Sequence, residues 1–132
     1  SECVGQIFEA AEQVFTCKIA FAEVMAAFRK KRDERAVPES QIDQLANQFQ
    51  HDWEAIATVD LTAELLAVVR QRAFRHSLRA LDLLHLSAAS WLTEAIHIPV
   101  VFVCSDRKLL AAAQQESLPV FDPEHDDPTT LE

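Results

Sequence analysis

A helix that is apolar on every side must be buried, and the stretch Leu78 to Leu92, reading LRALDLLHLSAASWL, comes nearest to one in this chain. It holds strong helix formers and neither Gly nor Pro, so it is predicted to be helical. Leu81, Leu83, Leu84, Leu86, Ala88, Ala89 and Trp91 cover nearly all of its surface. Asp82 nevertheless stands in the middle of it, with His85 one turn later on the same face. A carboxylate in a core costs several kcal/mol unless a cation, a metal or hydrogen-bond donors compensate it. Whatever satisfies Asp82 therefore constrains the rest of the fold.

The neighbouring segments alternate between short β-branched runs and helical periodicity. VFTCKIA (Val14–Ala20), AIATVD (Ala55–Asp60), VVFVC (Val100–Cys104) and LPVFDP read as strands, and Val100–Cys104 is the clearest of them. Helical patterns are predicted over residues 1–13, over Phe21 to about Arg35, from Pro38 through Trp53, from Leu61 or Thr62 through Ala73, and from Ser105-Asp106 to Glu116. Ser77 suits the N-cap of the Leu78–Leu92 helix. Such alternation implies an α/β sandwich with a mostly parallel sheet flanked by helices, in which Val100–Cys104 is buried on both faces. One domain over residues 1–123 is expected, followed by a loose acidic tail at 124–132.

Charge does not exclude a nucleic-acid surface. The net charge is −9, but the tail from Asp122 carries five acids and no Lys or Arg. The bases cluster, with Arg29, Lys30, Lys31, Arg32 and Arg35 in one group and Arg70, Arg72, Arg75 and Arg79 in another. Cys3, Cys17 and Cys104 lack metal-ligand spacing and read as reduced cysteines of a cytoplasmic protein. No apolar run has membrane-spanning length, so no membrane partner is expected.

Two more acids sit in apolar company. Glu23 lies in AFAEVMAAF just after a predicted strand, and Asp106 directly follows VVFVC. Parallel sheets place their sites at the carboxyl ends of strands, where both of these acids fall. Asp82 pointing in from its helix would complete a carboxylate cluster suited to Mg²⁺ or Mn²⁺. Each acid also has a plainer reading. Asp106 beside Ser105 suits a helix N-terminus, Glu23 could pair with Lys18 or Arg29, and Arg79 is three residues before Asp82. His85 reads as a supporting or core histidine.

The segments AFAEVMAAFRKK, LRALDLLHLSAA and VFVCSDRKLLAAAQQESLPVFDP resemble, in order and spacing, three successive blocks of PIN-domain ribonucleases, the toxin type of bacterial toxin–antitoxin pairs. The resemblance spans about Val14 to Pro123. It implies a parallel sheet flanked by helices and a cluster of acids that binds Mg²⁺ or Mn²⁺ and cleaves single-stranded RNA. Glu23, Asp82 and Asp106 would be the second, third and fourth acids, each catalytic and metal-binding, and His85 a common companion. An antitoxin partner and a homodimer are implied as well. Arg79 is a candidate contact to RNA phosphate.

Two departures stand out. The family opens with a strand ending in the first acid, whereas SECVGQIFEA resembles the helix that follows it. Ser117 also stands where a glycine often precedes the last strand. A central strand missing from the sheet is expected to be made good by upstream residues or by exchange between two copies. The competing function is a catalytically incomplete module that binds an antitoxin or its own copy. A small phosphate-binding protein is a weaker alternative, since there is no Gly-rich loop.

Overall fold

The chain is described by a computed structural model covering residues 2–131. Its elements run α1 (Glu2–Ala10), β1 (Phe15–Cys17), α2 (Ala20–Asp33), α3 (Glu39–Trp53), β2 (Ala57–Val59), α4 (Ala63–Ala73), α5 (Ala80–Ile96), β3 (Phe102–Val103), α6 (Arg107–Gln115), β4 (Val120–Phe121) and a 3-10 turn at Pro128–Leu131. The order of helices and strands is the one the periodicity predicts. The sheet is not.

A parallel-sheet sandwich is corrected here to a helix-rich fold carrying two separate strand pairs. β1 pairs with β2 and β3 pairs with β4, both parallel, in registers Phe15 to Ala57 and Phe102 to Val120. With one neighbour apiece, the strands stop after two or three residues. Phe102 is buried, but Val101 and Val103 are each 40% exposed, so the Val100–Cys104 run is covered on one face only. β-branched composition states a preference for extended backbone and does not state how many neighbours a strand will find.

Helix α5 joins the two pairs. Leu86 packs in one hydrophobic cluster with Phe102, Leu109, Ala112, Ala113 and Leu118. Ala88 packs in a second with Cys17, Val59 and Leu65. The helix starts two residues later than predicted, with Arg79 rather than Ser77 at its N-cap and no side chain bonding there. It ends at His97, whose backbone is left-handed (φ 56°) just before Pro99. Thr62 caps α4 through Oγ1, 3.1 Å from the Leu65 N–H. Ser117 has φ 63°, a conformation that glycine takes more easily. Phe21 of α2 stacks on Phe49 and Trp53 of α3 at centroid distances of 5.7 and 5.3 Å.

One buried ion cluster ties α4 to α6. Glu116, at the C-terminus of α6 and nearly inaccessible, lies 2.5 Å from Arg72 Nε, 3.5 Å from Arg75 and 2.8 Å from His76 Nε2. The Arg72 Nε–H is not aligned on the oxygen, so that contact is one of charge. Burial pushes the Glu116 carboxyl up, but the His76 hydrogen bond and the Arg72 and Arg75 charges outweigh it and hold the carboxyl below its ordinary 4.5. Because the folded value is the lower one, the stabilisation is complete above that pH and is lost as pH falls through the folded value.

Replacing Glu116 by Gln is expected to cost on the order of 3 kcal/mol near neutrality, since it leaves Arg72 buried without a counter-charge. Thermal melts of both proteins should differ by about 10 °C near neutral pH and converge in acid. A gap equally wide in acid would show that the charge on Glu116 is not what binds the helices.

Candidate functional site

β1 leads directly into α2, which places Glu23 one turn inside that helix. There it meets α5. Glu23 Oε1 lies 2.5 Å from His85 Nε2, a contact spanning 62 residues of sequence, and both side chains keep some access to solvent. The alternative partners proposed for Glu23 are engaged elsewhere. Lys18 pairs with Asp60 at 3.1 Å and Arg29 with Asp33 at 3.3 Å.

Asp82 stands one turn before His85 and is half-buried. The expectation of an all-round buried helix holds from Leu86 to Leu92 but not at its start, where Leu81 is 41% exposed. Asp82 therefore keeps contact with water and needs no buried counter-charge. Among the described residues it forms no hydrogen bond or ion pair, and Arg79 at the N-cap does not bind it.

Asp106 is the N-cap of α6, and its Oδ1 accepts the Leu109 N–H at 2.9 Å. The plain reading of this residue is thus realised, with its second oxygen left over. The charges of Asp106, Asp122 and Asp82 all act on one thiol. Burial pushes Cys104 above its ordinary 9.0, and the negative charges of Asp106, Asp122 and Asp82 push it further, opposed by hydrogen bonding with the Asp106 backbone.

Sequence reasoning gave Asp122 no role beyond its place at the end of the LPVFDP strand. Its Oδ1 accepts the Glu124 N–H at 2.9 Å and the Ser105 hydroxyl at 3.1 Å, and its Oδ2 meets His125 Nδ1 at 2.7 Å. The Glu124 N–H, then His125 and Ser105, hold its carboxyl below the ordinary 3.8 against some desolvation. An Asp with Pro next and acceptors in demand two residues on is a turn signal, and it was legible in FDPEH. Among the described residues, Asp122, Glu124 and His125 bring three ligand atoms within 4.8 Å of one another. Both Asp122 oxygens are already occupied, which explains that cluster as a self-satisfied turn. Glu23, Asp82 and Asp106 are not drawn into so tight a group.

Scans against protein-family models, curated proteins and solved structures each found nothing that matches this chain. Among the described residues no helix is long and apolar enough to cross a membrane. The three cysteines are free thiols.

The Glu23–His85 contact is expected to contribute about 1 kcal/mol, the discount reflecting its partial exposure. A double-mutant cycle of Glu23→Ala and His85→Ala in chemical denaturation measures it directly. Additive effects of the two substitutions would mean that the side chains do not interact.

Proposed function

We propose that this chain hydrolyses RNA phosphodiester bonds with a divalent cation, Mg²⁺ or Mn²⁺, held by Glu23, Asp82 and Asp106. The observation that carries the reading is the Glu23–His85 contact, which joins α2 to α5 one turn from Asp82. The three-block resemblance to PIN-domain ribonucleases supports it and supplies the choice of RNA. An antitoxin partner and self-association belong to the same proposal.

The donor set suits such a cation. Carboxylate oxygens are hard ligands, and Mg²⁺ keeps several waters, so widely spaced acids can hold it partly through water. Asp82 is uncommitted, while Asp106 and Glu23 each retain one oxygen. A bound cation would lower the pKa of an attacking water and offset charge on the scissile phosphate.

The side chains themselves would do the rest. His85 fixes the orientation of Glu23, whose second oxygen would hold the cation through the attacking water and take that water's proton. Arg79, at the solvent-facing start of α5 and without an ion pair among the described residues, would contact a phosphate. The basic end of α2 is less available, because Arg29, Lys30 and Arg32 pair with Asp33 and Glu34.

Incubation of the chain with a single-stranded RNA oligonucleotide, in Mn²⁺, in Mg²⁺ and in chelator, tests the reading. Cleavage should require the cation, and Glu23→Gln should slow it by about 100-fold or more. Asp82→Asn should raise the cation concentration needed for half-maximal rate. Cleavage that survives chelator and both substitutions would refute the assignment. A folded chain inactive under every condition would favour a binding module, a reading to which the exposed Phe74, Leu66 and Ile98 lend weight.

A further inference from the structure

Beyond the carboxyl ends of β1 and β2 lies a cleft of about 650 Å³. Lys18 follows β1 directly and Leu61 comes two residues after β2, and both line it. Phe21 near the start of α2, Gln50 and Trp53 in the last turns of α3, and Glu54 at the α3 C-cap complete the walls. The volume suits a small-molecule site, and open α/β sheets hold their ligands outside the carboxyl ends of their strands. Ala22 also borders the cleft and immediately precedes Glu23, so the cleft and Glu23 share the first turns of one helix.

The walls are chemically selective. Phe21 and Trp53 meet edge to face at 5.3 Å between ring centroids, and Phe49 touches both at 5.7 Å, which holds the rings in place. Gln50, Trp53 and Glu54 fall on one face of α3 at helical spacing. Among the described residues, the polar groups of these three side chains have no partner, although the nearby Gln48 bonds Asp52 at 2.9 Å. The helix dipole opposes a carboxylate at a helix C-terminus, so Glu54 is not there to stabilise α3. Lys18, by contrast, is paired with Asp60 at 3.1 Å. The cleft thus offers flat apolar surface, an amide and a carboxylate and, among the described residues, no unpaired cation to hold a phosphate.

We propose that the cleft is a nucleobase site, in which one unpaired base of an RNA strand stacks on Trp53 and Phe21 and guanine is selected by Glu54 and Gln50. The choice of RNA rests on the hydrolytic reading above, whereas the choice of a base rests on the walls themselves. Bases of single strands are held by stacking on aromatic side chains and by hydrogen bonds to their edges. Guanine alone among the four bases has two N–H donors side by side on its pairing edge. They match the two oxygens of one carboxylate, and the carbonyl oxygen beside them accepts from the Gln50 amide. The phosphate stays outside the cleft. Glu23 meets α5 and Phe21 meets α3, so the width of one helix, about 10 Å, separates the base from the acid. A strand lying across the start of α2 spans both.

The full chain carrying Trp91→Phe has Trp53 as its one indole. Its fluorescence is followed in chelator, where metal-dependent cleavage is blocked, as a uridine pentanucleotide with one central guanosine is added. Saturable quenching is expected, with all-uridine RNA of the same length competing about tenfold more weakly. Glu54→Gln replaces an exposed side chain and should leave the melting temperature unchanged. It should bring the two RNAs to within about twofold of each other while stacking still quenches Trp53. No saturable quenching by the guanosine-containing RNA, equal competition by all-uridine RNA, or a guanine preference that survives Glu54→Gln would each overturn the proposal. Saturation by a lysine-rich peptide in place of RNA would assign the cleft to a cationic partner and overturn it as well. Guanine-selective binding by a chain that cleaves no RNA upholds this site and removes the hydrolytic reading, and cleavage without quenching of Trp53 does the reverse.

Discussion

Burial of α5 is the constraint from which the remaining arrangement follows. Leu86 is fully buried and Ala88 nearly so, and they belong to different hydrophobic clusters although only one residue separates them. One helix thereby supports both strand pairs and packs against α4 and α6. Its buried residues lie between Leu86 and Leu92, which leaves its first turns open to solvent. Asp82 and His85 occupy that opening. The position of these two candidate residues is thus a by-product of where the helix stops being covered.

The strand pairs show the limit of that support. A two-stranded ribbon is marginal alone, and parallel pairing is slightly weaker per residue than antiparallel. Here each pair survives because it is packed on a helix face, with Cys17, Val59, Phe102 and Phe121 buried beneath. Pairing stops where that packing stops, which is why the strands are so short.

The helices were legible in the sequence, since their periodicity and formers are local properties. Pro38 marked one start and Leu61 or Thr62 another, and the structure begins α3 directly after Pro38 and α4 directly after Thr62. The single broad sheet was not legible, because strand neighbours are chosen by tertiary packing rather than by composition. Leucine density around Asp82 was read as depth, but it cannot reveal at which turn a helix emerges. Asp106 was readable as a cap from its place before an apolar helix. The pairing of Glu23 with His85 joins residues far apart in sequence and could not be read from spacing. Glu116 escaped notice for a similar reason. Its signal was an isolated acid closing the apolar run LLAAAQQE, with its partners some 40 residues upstream among arginines that looked like one surface patch.

The same Glu116 cluster has a mechanical meaning. It grips Glu116, which follows the last residue of α6, and Asp106 precedes the first, so the helix is a rigid rod about 14 Å long with an anchor at one end and a carboxylate at the other. A small tilt at the anchor becomes a larger displacement at the cap, as with any lever. The aim of Asp106 therefore depends on a contact at the far end of the helix, and Glu116→Gln, which loosens that contact, would reach Asp106 without touching any residue beside it.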